Sequence, residues 1–225
     1  MEKNKMKFTE LIRKEADAIW EASFNHPFVK GIGDGTLSLE KFQYYVLQDA
    51  YYLHHFAKCQ AYASAMAPDL PTTASLADHA KGTYEAELAL HRDFSKRLGV
   101  TEAEKENFKP APTAYAYTSH MYRSVLTGRL GDVIAALLPC YWLYYEVGEK
   151  LKACQPDEKI YQEWIATYGG DWFRTLVEEQ INRLDQLATK ATDADLKRWK
   201  EHFMISSRYE LAFWEMAWTL EEWRI

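Results

Sequence analysis

Helical periodicity limits what this chain can become more than any single motif does. Apolar residues recur at steps of three, four and seven through most of its 225 residues, the spacing that lines them up on one face of an α-helix. No segment alternates Val, Ile and Thr in the two-residue rhythm of a strand. Only 10 glycines and 7 prolines punctuate the chain, which favours long helices over turn-rich β structure. The pattern reads as an all-α bundle of about eight helices, with residues 1–225 forming one domain.

Local signals place the elements. A first helix is expected over about Thr9–Ser23, and "NHPFVKGIGDGTLS" after it reads as a loop. Its Gly-Asp-Gly follows no strand and lacks the spacing of a phosphate loop, so it reads as a turn. A second helix follows Ser38 to about Met66. A third follows Pro71, a good first-turn residue, and stops at Gly99. Thr101 to Glu104 is a capping box opening a short helix, and "FKPAPTA" is a loop. Further helices are expected near 113–127, 130–153, 157–167, 171–189 and 193–222, with "YGGD" as a sharp break.

Composition excludes several classes. Net charge is −6, against nucleic acid as the main partner, because phosphate contacts need a basic surface. No apolar run approaches the roughly 18 residues of a membrane span, and the N-terminus has no apolar signal region. Three cysteines without CxxC spacing make neither a disulfide framework nor a zinc site. A cytoplasmic protein is expected. Glu87 and His91, four apart, share a helix face, but one such pair is weak evidence for a metal; no metal or cofactor is expected.

Three polar residues break the apolar stripes. The second helix carries Phe42, Tyr45, Val46, Tyr52, Leu53, Phe56 and Tyr62 on one face, and Asp49 falls among them. A buried carboxylate costs several kcal/mol unless paired or hydrogen-bonded. The last helix carries Trp199, Phe203, Ser206, Phe213, Trp214 and Ala217, with Glu210 on the same stripe. Desolvation there raises a carboxyl pKa and suits it to proton transfer near neutrality. In "AALLPCYWLYYEVGE" (135–149), Cys140 follows a proline inside an apolar helix and precedes four aromatics. Pro139 lacks an N–H and crowds the carbonyl of Ala135, so a kink is expected that aims the sulfur into a cavity. Each residue alone has a plainer reading: Cys140 as core packing, and Asp49 or Glu210 as partners of a buried arginine. A nucleophile and two carboxylates, each on an aromatic face, favour a site. Cys59 and Cys154 lack such surroundings and read as structural.

Several long segments carry a resemblance: "FVKGIGDGTLSLEKFQYYVLQDAYYLHHFAK", "HAKGTYEAELALHR", "PTAYAYTSHMYRSV", "ALLPCYWLYYEVGEKL", "YGGDWF" and "YELAFWEMA". Together they resemble the TenA family of thiaminase II, or aminopyrimidine aminohydrolase, from about Met6 to Trp223. The resemblance implies a haem-oxygenase-like helical fold without haem, in a cytoplasmic homotetramer. It implies hydrolysis of 4-amino-5-aminomethyl-2-methylpyrimidine to the hydroxymethyl compound in thiamine salvage, with thiamine as a slower substrate. It makes Cys140 the nucleophile and marks the branch of the family that has the cysteine. Asp49 and Glu210 match its two carboxylates, and Tyr52, Tyr117, Tyr144, Tyr168 and Phe213 match its pocket aromatics. A regulatory DNA-binding role and a metal-dependent oxidase on the same fold are the rival readings; net acidity and the lack of paired ExxH motifs weigh against them.

Overall fold

The computed structural model describes residues 6–224, apart from the side chain of Glu87. Among the described residues every regular element is helical. The α-helices are α1 (Phe8–Glu15), α2 (Asp17–Phe24), α3 (Pro27–Asp34), α4 (Leu39–Ala65), α5 (Leu70–Gly82), α6 (Leu88–Arg97), α7 (Glu102–Glu106), α8 (Pro112–Val125), α9 (Leu130–Leu151), α10 (Lys159–Tyr168), α11 (Asp171–Ala188) and α12 (Asp193–Thr219). A π-helical turn, Thr83–Glu87, joins α5 to α6. Among the described residues no helix is long and apolar enough to cross a membrane.

Among the described residues, twelve α-helices stand where the sequence places nine helical segments, for three local reasons. The first predicted helix breaks at Ala16, whose N–H is shared between the carbonyls of Ile12 and Arg13, both at 3.1 Å. The predicted loop over 25–38 contains α3. His26 caps α3 by accepting from the Phe28 N–H through Nδ1 at 3.2 Å, with Pro27 in the first turn. Histidine is not a usual cap, so the start was hidden, while Gly35 ends the helix at φ +78°. The third predicted helix is divided by the π turn, where the Leu88 N–H reaches back five residues to the Thr83 carbonyl.

α9 is the central element, buried along most of its length and packed on α12, α11, α10 and α8. α4 lies beside it and carries α5 and α6 on its outer side. Fully buried Trp20, Trp164, Trp214, Tyr45, Tyr117 and Phe42 knit the layers together. A ring of this size contributes about 1.5–3 kcal/mol when withdrawn from water. Two polar contacts accompany them: Trp20 Nε1 donates to Ser207 Oγ at 3.0 Å, and Ser206 Oγ donates to the Ala136 carbonyl at 2.7 Å. Near its N-terminus α1 is tied across the bundle, where Asp185 accepts from the Thr9 N–H and hydroxyl, each at 2.9 Å.

Candidate active site

α9 runs through Pro139 from Leu130 to Leu151, and Cys140 follows on its inner face. Cys140 lines a small cavity with Asp49 of α4, Tyr144 of α9, and Tyr168 at the end of α10. Leu53, Phe56, Tyr141 and Phe173 complete the wall. About 10 Å³ of it is open to the centre of a water-sized sphere, enough for roughly one water molecule. A pyrimidine ring enters only if lining side chains move.

Asp49 is 3% exposed and is held from two sides. Tyr45 donates its hydroxyl proton to Asp49 Oδ2 at 3.3 Å, and His91 Nε2 of α6 lies 2.6 Å from the same oxygen. The His91 contact is too far off the N–H axis for a well-aligned hydrogen bond. Tyr45 is itself fixed: its hydroxyl receives the Trp164 indole N–H and lies 3.3 Å from the Tyr144 hydroxyl. Of the Glu87–His91 pair, weighed above as weak evidence for a metal, the Glu87 side chain lies outside those described, and His91 turns toward Asp49.

Glu210, on α12, is 2% exposed. Tyr117 of α8 donates to Glu210 Oε1 at 2.5 Å. Burial pushes the Glu210 carboxyl up to about 8; the Tyr117 bond opposes this, and the negative charge of Asp49 adds to it. Glu210 therefore holds its proton at neutral pH in a site able to release it. Tyr52 links the two halves of the site. Its ring lies 4.9 Å from Tyr117 and 5.8 Å from Phe213. Burial holds its phenol well above the usual range, with Cys140, Tyr117 and Glu210 all close enough to add to the shift. Tyr144 and Tyr168 stand 4.9 Å apart on the cavity side.

The sequence-predicted residues thus fall into two adjoining groups. Cys140, Asp49, Tyr144 and Tyr168 line the cavity; Glu210, Tyr117, Tyr52 and Phe213 form the adjoining buried cluster. Tyr62, placed on the α4 stripe by periodicity, is 49% exposed. Cys59 sits in the last turns of α4 with its thiol pushed up to about 12 by burial. Sequence reasoning missed His91, Tyr45 and Tyr141. Tyr141 lines the cavity, while Tyr45 and His91 contact Asp49; spacing along single helices does not report such contacts between them.

The family model for TENA/THI-4/PQQC proteins matches residues 13–220. The chain belongs to this family. It is 62% identical over 218 residues to an aminopyrimidine aminohydrolase of Bacillus subtilis strain 168, covering 97% of this chain and 92% of that one. Among solved structures, a TenA homologue from P. horikoshii OT3 superposes with a TM-score of 0.87 at 32% identity, covering 95% of this chain and 99% of that one. A haem-oxygenase-like domain from Shewanella denitrificans OS217 superposes with a TM-score of 0.74 at 16% identity, covering 96% and 94% of the two chains. At that identity the likeness shows the fold alone. For the TENA/THI-4/PQQC chain described here, the fold expectation therefore holds.

Proposed function

We propose that this protein is an aminopyrimidine aminohydrolase. It hydrolyses 4-amino-5-aminomethyl-2-methylpyrimidine to ammonia and the 5-hydroxymethyl compound, and cleaves thiamine more slowly to the same pyrimidine and the thiazole. The observation that carries this reading is the meeting of Cys140 and Asp49 at one small cavity, with Glu210 in the adjoining cluster holding a proton near neutral pH. The 62% identity to a relative bearing that name supports it.

The chemistry follows from the groups. Direct displacement of an amine from the methylene is slow, so the reaction is divided. The Cys140 thiolate adds to the ring carbon next to the one bearing the methylene. Asp49, steadied by Tyr45 and His91, accepts from the protonated ring nitrogen and the 4-amino group, which makes that carbon more electrophilic. Ring electrons then expel the amine as Glu210 delivers its proton. Water adds to the exocyclic methylene, losing a proton to the Glu210 carboxylate, and the thiolate leaves. Atoms balance as substrate plus water to alcohol plus ammonia. Tyr117 orients Glu210. Tyr52, Tyr144, Tyr168 and Phe213 enclose the ring, since aromatic faces suit a flat heterocycle. No metal or organic cofactor takes part in these steps.

The protein acts as one cytoplasmic helical domain assembled into a homotetramer; exposed Leu11, Leu70, Leu126 and Trp172 supply apolar surface for contacts between copies. Light scattering that returned a monomer mass would contradict the assembly. Ammonia release from the aminomethylpyrimidine, measured beside thiazole release from thiamine, tests the substrate assignment. A protein that released neither would sink it.

A further inference from the structure

The wall of the cavity next to Cys140 contains a buried polar chain that the chemistry above does not use. Tyr141 follows Cys140 on α9, and its ring lines the same cavity. Its hydroxyl meets two side chains on other helices: Gln60 Nε2 of α4 donates to it, and His79 Nδ1 of α5 lies 2.9 Å away. His79 Nε2 lies 3.1 Å from Glu179 Oε2 on α11. The other Glu179 oxygen accepts from Ser75 Oγ and, at 2.9 Å, from Arg183 Nη2. Thr83 Oγ1 closes the inner end by donating to Gln60 Oε1 at 2.9 Å.

The protons in this chain can be assigned. Glu179 is held below the usual carboxylate range by its Ser75, His79 and Arg183 partners, against the opposing effect of burial, so it only accepts. His79 Nε2 must carry a hydrogen. Burial lowers the His79 pKa despite Glu179, leaving the ring neutral and Nδ1 an acceptor. The Gln60 amide can only donate to the Tyr141 oxygen, so the Tyr141 proton points at His79 Nδ1. Every link has one direction, from Tyr141 through His79 to Glu179. A phenylalanine in place of Tyr141, packed on apolar neighbours, would line the cavity without burying four polar side chains; burying polar groups is favourable only when all are satisfied.

We propose that His79, oriented by Glu179, is a positioning residue that fixes the Tyr141 ring as a rigid wall of the pyrimidine pocket and thereby sets substrate affinity. This rests on the cavity being the substrate pocket. Steady-state kinetics on the aminomethylpyrimidine with full-length wild type, His79→Asn, His79→Gln and Tyr141→Phe test it. Asparagine places a carbonyl where Nδ1 sits and keeps the acceptor for Tyr141; glutamine keeps an N–H for Glu179 but loses that acceptor. The expected order is a KM near wild type for His79→Asn and a rise of about three- to tenfold for His79→Gln and Tyr141→Phe, with kcat changing less. Equal KM values for the two His79 variants, or an unchanged KM in Tyr141→Phe, overturn the proposal. If the His79 variants fail to fold by circular dichroism, Tyr141→Phe decides alone. A wild type that releases no ammonia contradicts the function instead; the Kd of the 5-hydroxymethylpyrimidine, by calorimetry on the same proteins, then replaces KM with the same expected order.

Discussion

Glu210 shows most plainly how environment makes a residue useful. The same side chain on the surface ionises near 4.5; buried here, with Asp49 nearby, it does so near 8. Its acid form is therefore present below about pH 8 and lost above it. The expected kcat/KM profile falls as pH rises through about 8, and Glu210→Gln lowers kcat by about 10²–10⁴-fold while removing that limb. The same proton affects stability. Because the folded pKa lies above the unfolded value, the stabilisation is complete below about 4.5 and declines as pH rises through about 8. Thermal melts should show wild type losing Tm between pH 5 and 8 relative to Glu210→Gln; parallel curves would mean that the carboxyl titrates at an ordinary pKa. Asp49, Glu210 and Cys140 were all legible in the sequence, because a polar or nucleophilic group among aromatics at helical spacing has few places to go. His91 was not. Its partner lies on a helix 42 positions earlier, and spacing along one helix says nothing about contacts between two.

At the scale of elements, the π turn shows why. Residues of an α-helix advance by about 100° each, so twelve residues would leave His91 roughly 120° away from the face of His79. The extra residue absorbed by the π turn reduces this to about 20°. Both histidines are then turned into the bundle, at 3% and 1% exposure. Nothing in the periodicity of 83–87 announces that insertion, just as nothing announced the histidine cap of α3. The long helices α4, α9 and α12 were legible because their stripes run for many turns. Another contact between elements makes a sharp prediction. A Cβ built on Gly148 would stand 2.3 Å from the backbone nitrogen of Gly169, directly after Tyr168. Backbone cannot yield as a side-chain tip can, so Gly148→Ala should cost about 1–3 kcal/mol and displace the end of α10. A lowered Tm together with a raised KM is the expected result; an unchanged Tm would mean that α10 is not seated against α9 as described.

Across the whole molecule, the site is assembled from helices far apart in sequence: α4, α8, α9, α10 and α12. Their rings interlock in a continuous core, and the polar groups at its centre are reached by no single element. The cavity they leave has room for roughly one water molecule, so binding must shift lining side chains such as Tyr144 or Tyr168. Composition told the class of fold, and resemblance told where to look; neither showed that the cavity stands next to a second, fully directed polar chain. The central claim is covalent catalysis by Cys140, and ammonia release from 4-amino-5-aminomethyl-2-methylpyrimidine by wild type, Cys140→Ser and Cys154→Ser tests it most directly. Wild type and Cys154→Ser should turn over alike, while Cys140→Ser falls by about three orders of magnitude or more. Near-normal turnover by a folded Cys140→Ser protein would contradict the account.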